Sequence, residues 1–263
     1  MTQETVFPLV LAVFLVAGGE GSRLKSETVA GWDRYAAAVE HRRSLASPHA
    51  NQFLVLDTAS DRTLARRSVM GGEVVMERMR AIDNGGRDID VPSGLVHHWR
   101  GAIFLPGMTI DRLMTSLYAG PPRQDDVLIA RVLERQPDRL KIFLRLRRTK
   151  VVTVVLNTEH VVTFSRIDAA HAETRSTATK IAELADPGTS SERELAPGED
   201  RGFLWKLNAY WRYEAVRGGV IVECESISLS RRVPFGFQTL VGPIVERTAR
   251  ESLEKTLLAL RTL

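Results

Sequence analysis

Residues 243–262 read PIVERTARESLEKTLLALRT, and this stretch decides the fold. Ile244, Val245, Thr248, Ala249, Ser252, Leu253, Thr256, Leu257 and Leu260 recur at i, i+3, i+4 spacing and make one stripe. Glu246, Arg250, Glu254, Lys255 and Arg261 take the opposite side. Pro243 suits the first helical position, because the N–H it lacks is one that a helix start leaves unpaired anyway. The chain therefore closes on a long amphipathic helix running to about Thr262. Within its stripe, Thr248, Ala249, Ser252 and Thr256 are small, so this helix either approaches its partner closely or leaves space beneath itself.

Upstream, the period changes from that of a helix to that of strands. Val127 to Glu134, Leu140 to Arg147, Val151 to Phe164, Ala172 to Glu183, Phe203 to Glu214 and Gly219 to Ser230 all read as strands separated only by turns. Such short links join antiparallel neighbours, since parallel ones need long crossovers. Leu95 to Leu105 reads as an earlier strand, Pro106-Gly107 as a turn, and Thr109 to Tyr118 as a short helix. The plan is α+β: a curved antiparallel β-sheet wrapped around a long C-terminal α-helix, the helix-grip arrangement, over residues 91–263.

Alternation separates the two faces of that sheet. Trp205, Leu207, Ala209, Trp211 and Tyr213 belong inside, against Lys206, Asn208, Tyr210, Arg212 and Glu214 outside. Val222, Cys224, Ser226 and Ser228 face in, while Ile221, Glu223, Glu225, Ile227 and Leu229 face out. Leu144, Leu156, Thr158, His160, Thr174 and Ser176 complete the inner set from the preceding strands. The outer charges, Glu159, Arg175, Arg212, Glu223 and Glu225, then form cross-strand ion pairs on a convex surface.

Small and hydroxylated residues stand on both sides of the helix–sheet boundary: Thr174, Ser176, Cys224 and Ser226 opposite Ile244, Thr248, Ser252 and Thr256. A strongly curved sheet turns such a boundary into a cavity for a largely apolar molecule, with those residues lining it. The alternative is a filled core in which Trp205, Trp211 and Phe164 occupy the volume.

Before the main domain, Val29, Trp32, Ala36 and Val39 mark a short amphipathic helix opened by Thr28 as N-cap. Phe53 to Leu56, Thr63 to Val69 and Glu73 to Met79 read as short strands, giving residues 20–90 as a helix and β-hairpin extension. Asn84 to Gly94 is the connector. The apolar run Val6 to Ala17 has the length of a signal-peptide core, so residues 1–19 are a candidate signal peptide and the protein a candidate for export. The absence of Lys or Arg before it leaves a cytoplasmic terminal segment as the alternative. The loop from Asp186 to Asp200 is either a lid over the cavity or an ordinary solvent loop.

At 263 residues and 44% hydrophobic, the chain has material for one large domain with an appendage. A net charge of +4 admits peripheral contact with an anionic membrane. Nucleic acid is not expected as a partner, because the basic stretch Lys141 to Arg147 interleaves only Phe143 for base stacking. One cysteine, Cys224, excludes an intrachain disulfide and reads as a packing residue. No cofactor fingerprint occurs, and no metal is expected: His97 and His98 are adjacent in a strand and point to opposite faces. Among the histidines His160 alone reads as inward, and with Tyr213 it is the candidate for moving protons on a bound carbonyl compound, should the chain be an enzyme.

Val96-His97-His98-Trp99-Arg100-Gly101 enters the first strand, and Leu156-Asn157-Thr158-Glu159-His160, Phe203-Leu204-Trp205-Lys206-Leu207-Asn208 and Val222 to Leu229 follow in order before the terminal stripe. In these stretches and this order of elements the chain resembles the START-like superfamily, also called SRPBCC, and a bacterial branch of it. The resemblance covers about two thirds of the chain and rests on topology more than on a catalytic motif. It implies a lipid, sterol or polyketide-like ligand held between sheet and helix, bound or transferred, with a cyclase- or hydrolase-like reaction as the alternative; it does not imply an enzyme. One departure is local: Ala119-Gly120-Pro121-Pro122 interrupts the second of two short helices usual after the first strand, which shortens a wall of the pocket.

Overall fold

The computed structural model describes residues 24–45, 53–58, 62–149, 153–232 and 238–263. The run Val6 to Ala17 lies outside the described residues. Helix α1 spans Ser26–Ser44, followed by a 3-10 turn at Val55–Thr58 and helix α2 at Arg62–Met70. Strands β1 (Val75–Arg78) and β2 (Gly94–Pro106) precede helix α3 (Ile110–Ala119). Then come β3 (Val127–Gln136), β4 (Arg139–Thr149), β5 (Thr153–Arg166), β6 (His171–Ala185) and the two-residue β7 (Arg193–Glu194). Strands β8 (Lys206–Val216) and β9 (Gly219–Arg231) lead to the terminal helix α4 (Gln238–Ala259) and a last 3-10 turn at Leu260–Thr262.

The strands form one antiparallel sheet in the order β1-β2-β9-β8-β6-β5-β4-β3, with β7 on β6. The first strand of the main domain thus pairs with the last, and α4 packs over the concave side against β2 and β9. This is the α+β helix-grip plan, and the strands from β2 onward lie where alternation puts them. Leu253, Leu257 and Leu260 bury the helix stripe against Ile103, Val220 and Val222, with Leu113 of α3 closing the same cluster. Thr109 caps α3 by accepting from the Arg112 N–H.

Four local readings need correction. Phe53 to Leu56 is not a strand but enters the 3-10 turn, because Asp57 accepts from the Leu54 N–H and closes the chain on itself. Thr63 to Val69 is helix α2: Leu64, Ala65, Arg66 and Arg67 are good helix formers, and one Val69 buried beneath it suffices to dock so short an element. Among the described residues of the extension, the expected hairpin is replaced by these helical pieces and by β1, which joins the main sheet on β2, while Ile82 and Asp88 make an isolated antiparallel bridge. Thr28 is not a side-chain cap, since α1 starts two residues earlier with Lys25 in that position. Helix α4 likewise starts at Gln238, so Pro243 lies inside it.

The largest correction concerns the convex face. Glu223 and Glu225 are fully buried there, because α1, the 3-10 turn and α2 cover the sheet. Trp32, Tyr35, Ala36 and Val39 of α1 pack on Tyr210, Ile227 and Leu229, and Phe53, Leu54 and Leu56 pack on Ala102 and Ile221. The acids satisfy polar groups of that cover. Glu223 accepts the backbone N–H groups of Val55 at 2.9 Å and Leu56 at 2.8 Å, and Arg100 at 3.3 Å. Glu225 accepts from Arg42, from Arg43 at 3.2 Å and from His98 Nε2 at 2.6 Å. Arg212 reaches the carbonyl oxygens of Phe53 and Arg43, both at 2.6 Å, and pairs with Glu173. Lys141–Glu159, at 2.7 Å, is a cross-strand pair at the partly exposed surface of the kind alternation suggests, and Arg212–Glu173 at 2.6 Å and Lys180–Glu194 at 2.7 Å also cross between neighbouring strands.

Candidate functional site

A cavity of about 380 Å³ lies between the concave sheet and α4. Its size falls within the range of small-molecule sites, roughly 300–1,000 Å³. Strand β4 supplies Leu140, Ile142, Leu144 and Leu146 from its inner face, and β5 supplies Val154, Leu156, His160, Val162 and Phe164. Thr174 and Ser176 come from β6, Leu207, Ala209, Trp211 and Tyr213 from β8, and Cys224, Ser226 and Ser228 from β9. Helix α4 closes it with Thr248, Ala249, Ser252, Leu253 and Thr256. The small residues on both sides of the boundary do leave space. Ile103, Val222 and Leu257 instead belong to a buried cluster that adjoins the cavity at Tyr213, Cys224 and Leu253.

Four residues assigned to the lining stand elsewhere or outside the description. Trp205 is on the convex side, packed in the α1 cluster with its Nε1–H donated to Asp200 at 3.0 Å. Its backbone N–H and the register of Lys206 both address Leu229, and this doubling of two residues against one breaks the alternation just before β8. Thr158 is fully buried behind the wall, with its hydroxyl donated to the Leu144 carbonyl. Val222 is fully buried in the cluster beside the cavity. Ile244 lies in α4 but outside the residues whose side chains are described.

The structure adds His97, Trp99, Leu117, Gln124, Arg148 and Phe203 to the lining. His97 and Trp99 were legible through register, since they pair with Ser228 and Ser226, which the alternation already turns inward. Pro121 and Pro122 line the cavity as well, so the extended stretch after α3 forms wall rather than removing it. None of residues 186–200 lines it; the contribution of that region is Phe203 and Leu204, just beyond the loop.

The polar groups of the cavity fall into separate sets. At one end Arg148 pairs with Asp126 at 2.7 Å and donates to Ser252 Oγ at 2.9 Å, while Thr256 donates to Gln124 at 3.0 Å. Burial pulls the Arg148 guanidinium down against the opposing charge of Asp126. Farther along, Thr174 and the Tyr213 hydroxyl share a bond of 2.8 Å, and burial drives the Tyr213 hydroxyl far above its ordinary range, so it stays protonated. His160 meets Thr158 Oγ1 at 3.0 Å and Ser176 Oγ at 3.4 Å. Tyr213 and His160 thus address different partners. Burial pushes His160 and His97 each down to about 4, and it raises the Cys224 thiol, which remains a neutral packing group. No cluster of three or more His, Cys, Asp or Glu suited to a metal ion occurs among the described residues.

No family profile and no curated protein matches the chain. Solved structures do. The chain is similar to START and lipid-transfer proteins. A STAR-related lipid transfer protein fragment from Xanthomonas axonopodis aligns at 16% identity and a TM-score of 0.42, over 66% of this chain and 94% of that one. A START superfamily protein from Mycobacterium smegmatis aligns at 11% identity and 0.40, over 63% and 95%. The di-domain ARO/CYC StfQ of the steffimycin biosynthetic pathway aligns at 15% identity and 0.36, over 64% and 48%.

Proposed function

We propose that the protein binds, and hands on, a largely apolar small molecule in the cavity between sheet and α4. The observation that carries this reading is the cavity itself: leucine, isoleucine, valine and tryptophan side chains surround an unfilled volume of about 380 Å³ that sparse, mostly paired polar groups punctuate. Interiors of this kind otherwise pack without voids larger than a water molecule. An apolar ligand entering such a space gains the transfer free energy of its surface, roughly 25 cal/mol per Å² buried, without needing polar partners. A cyclase- or hydrolase-like reaction is the second reading, favoured by the reach of His160 to Ser176. Burial holds that imidazole at about 4, well below the neutral value that suits a general base, so binding is the better supported of the two.

Trp99 and Trp211 line the cavity and report on its contents. Titration with the neutral apolar dye N-phenylnaphthylamine is expected to quench tryptophan emission and to saturate at one dye per chain. Native mass spectrometry after mild purification is expected to show a co-purifying apolar molecule that organic solvent extracts. A protein that shows neither saturable dye binding nor an extractable ligand overturns the reading.

A further inference from the structure

We infer that the cavity selects apolar ligands that carry a hydroxyl group, and that this hydroxyl bridges His160 Nδ1 and Ser176 Oγ from the cavity side. The inference rests on the apolar-ligand reading above and names the chemical class that the same site takes.

A chain of hydrogen bonds sets the direction of every proton at this point. The carbonyl oxygen of Leu144 can only accept, so its 3.2 Å contact with Thr158 Oγ1 uses the single proton of that hydroxyl. Thr158 Oγ1 is then free only to accept, and His160 Nε2, 3.0 Å away, must donate to it. The ring is neutral at pH 7, because burial pushes it down to about 4. A neutral ring with its proton on Nε2 carries a bare lone pair on Nδ1. That lone pair meets Ser176 Oγ at 3.4 Å, beyond the usual 2.5–3.0 Å or 2.7–3.2 Å of a good bond. His160 and Ser176 both line the cavity, so an acceptor and a donor stand side by side there, each held only loosely.

A ligand hydroxyl satisfies both at once: it donates to Nδ1 and accepts from Ser176. A ketone or ether accepts from Ser176 but leaves Nδ1 without a proton. A carboxylate sets negative charge against that lone pair, and an alkane offers nothing to either group. Arg148, the cation of the lining, does not redirect this preference toward acids. Asp126 already neutralises it, and it lies six residues along β4 from Ile142, the partner of His160, roughly 20 Å away.

The experiment is displacement of N-phenylnaphthylamine from the full chain by decanol, by the ketone of the same length and by decane. Decanol is expected to displace the dye at about tenfold lower concentration than the other two, the factor that one added buried hydrogen bond confers. His160→Phe is expected to erase that difference, and Ser176→Ala to reduce it about threefold. In nitrogen-15 spectra the wild-type His160 ring is expected to show the neutral form protonated on Nε2 at pH 7. Equal potency of decanol and decane, a preference that survives in both variants, or a proton on Nδ1 overturns this inference alone. Failure of all three compounds to displace the dye overturns the apolar-site reading and the inference with it.

Discussion

Lowering the pH from 7 to 5 is expected to cost the fold about 4 kcal/mol, through two histidines that the interior keeps neutral. His97 and His160 are buried in the cavity wall, and burial pushes each from the ordinary 6.5 down to about 4. The sign follows from which state takes up protons. As pH falls through 6.5 the unfolded chain protonates both rings, while the folded chain resists until about 4, so stability is complete above that window and drains away inside it. At pH 5 each ring stands about 1.5 units below its unfolded value and still uncharged in the fold, which is about 2 kcal/mol per ring at 1.36 kcal/mol per unit. His98 is lowered too, chiefly by burial, and adds in the same direction. Glu225 acts in a separate window. Burial raises its carboxyl, but the His98 hydrogen bond and the charges of Arg42 and Arg43 outweigh that and hold it at about 2, so its share is lost only below its ordinary 4.5. Against a total of 5–15 kcal/mol for a typical domain, the histidine loss is large. Urea denaturation followed by tryptophan emission at pH 7, 6 and 5 measures it, and His160→Gln should recover about 2 kcal/mol of the loss. Stability that is flat between pH 7 and 5, or a His160→Gln variant that keeps the full loss, refutes the reasoning.

Glu225→Gln removes the counter-charge of Arg43, whose side chain is buried beside it, and should cost about 3–5 kcal/mol in urea denaturation. A Cβ at Gly219 would stand 2.2 Å from the Leu105 carbonyl oxygen, so Gly219→Ala should weaken the β2–β9 pairing and lower stability by about 2–3 kcal/mol, read from the urea midpoint. Ala249→Leu projects new volume from α4 into the cavity and should weaken N-phenylnaphthylamine binding at least tenfold, while thermal melting shows a stability change within about 1 kcal/mol.

Most of the sheet was legible because its strands carry a period. Leu207, Ala209, Trp211 and Tyr213 alternate with polar residues in β8, and they do face the cavity. The terminal helix was legible through its stripe, and its small residues signalled space that the cavity now fills. Where single residues were misplaced, a local irregularity overrode the period. Trp205 sits at a doubled position before β8, and Thr158 turns its hydroxyl to the Leu144 carbonyl behind the wall. The segments at Phe53 to Leu56 and Thr63 to Val69 were too short for either period to decide, and contacts with distant strands made them helical. Arg148 and Gln124 escaped because what draws them into the lining is partners remote in sequence, Ser252 and Thr256 of α4.

The covered convex face shows a deeper limit of alternation. Period 2 separates two faces but names one as wet only when its residues are all polar. Here Ile221, Ile227 and Leu229 share a face with Glu223 and Glu225, and the apolar members were the sign of a cover. The acids pointed the other way, since a carboxylate is almost never fully buried unless paired. Their partners lie far upstream, in Arg42, Arg43 and the backbone N–H groups of Val55 and Leu56, so nothing within the strands could reveal the pairing. Three oriented bonds complete it: Ala81 N–H to the Tyr35 oxygen, the Tyr35 hydroxyl to His98 Nδ1, and His98 Nε2–H to Glu225. The same two strands carry this network on one face and His97, Trp99, Cys224 and Ser226 on the other. Small residues on the concave side leave an opening that a pliable sheet would collapse into. Directional bonds and packed aromatics on the convex side hold the curvature from behind, and that is how one wall of the cavity stays open without a core to fill it.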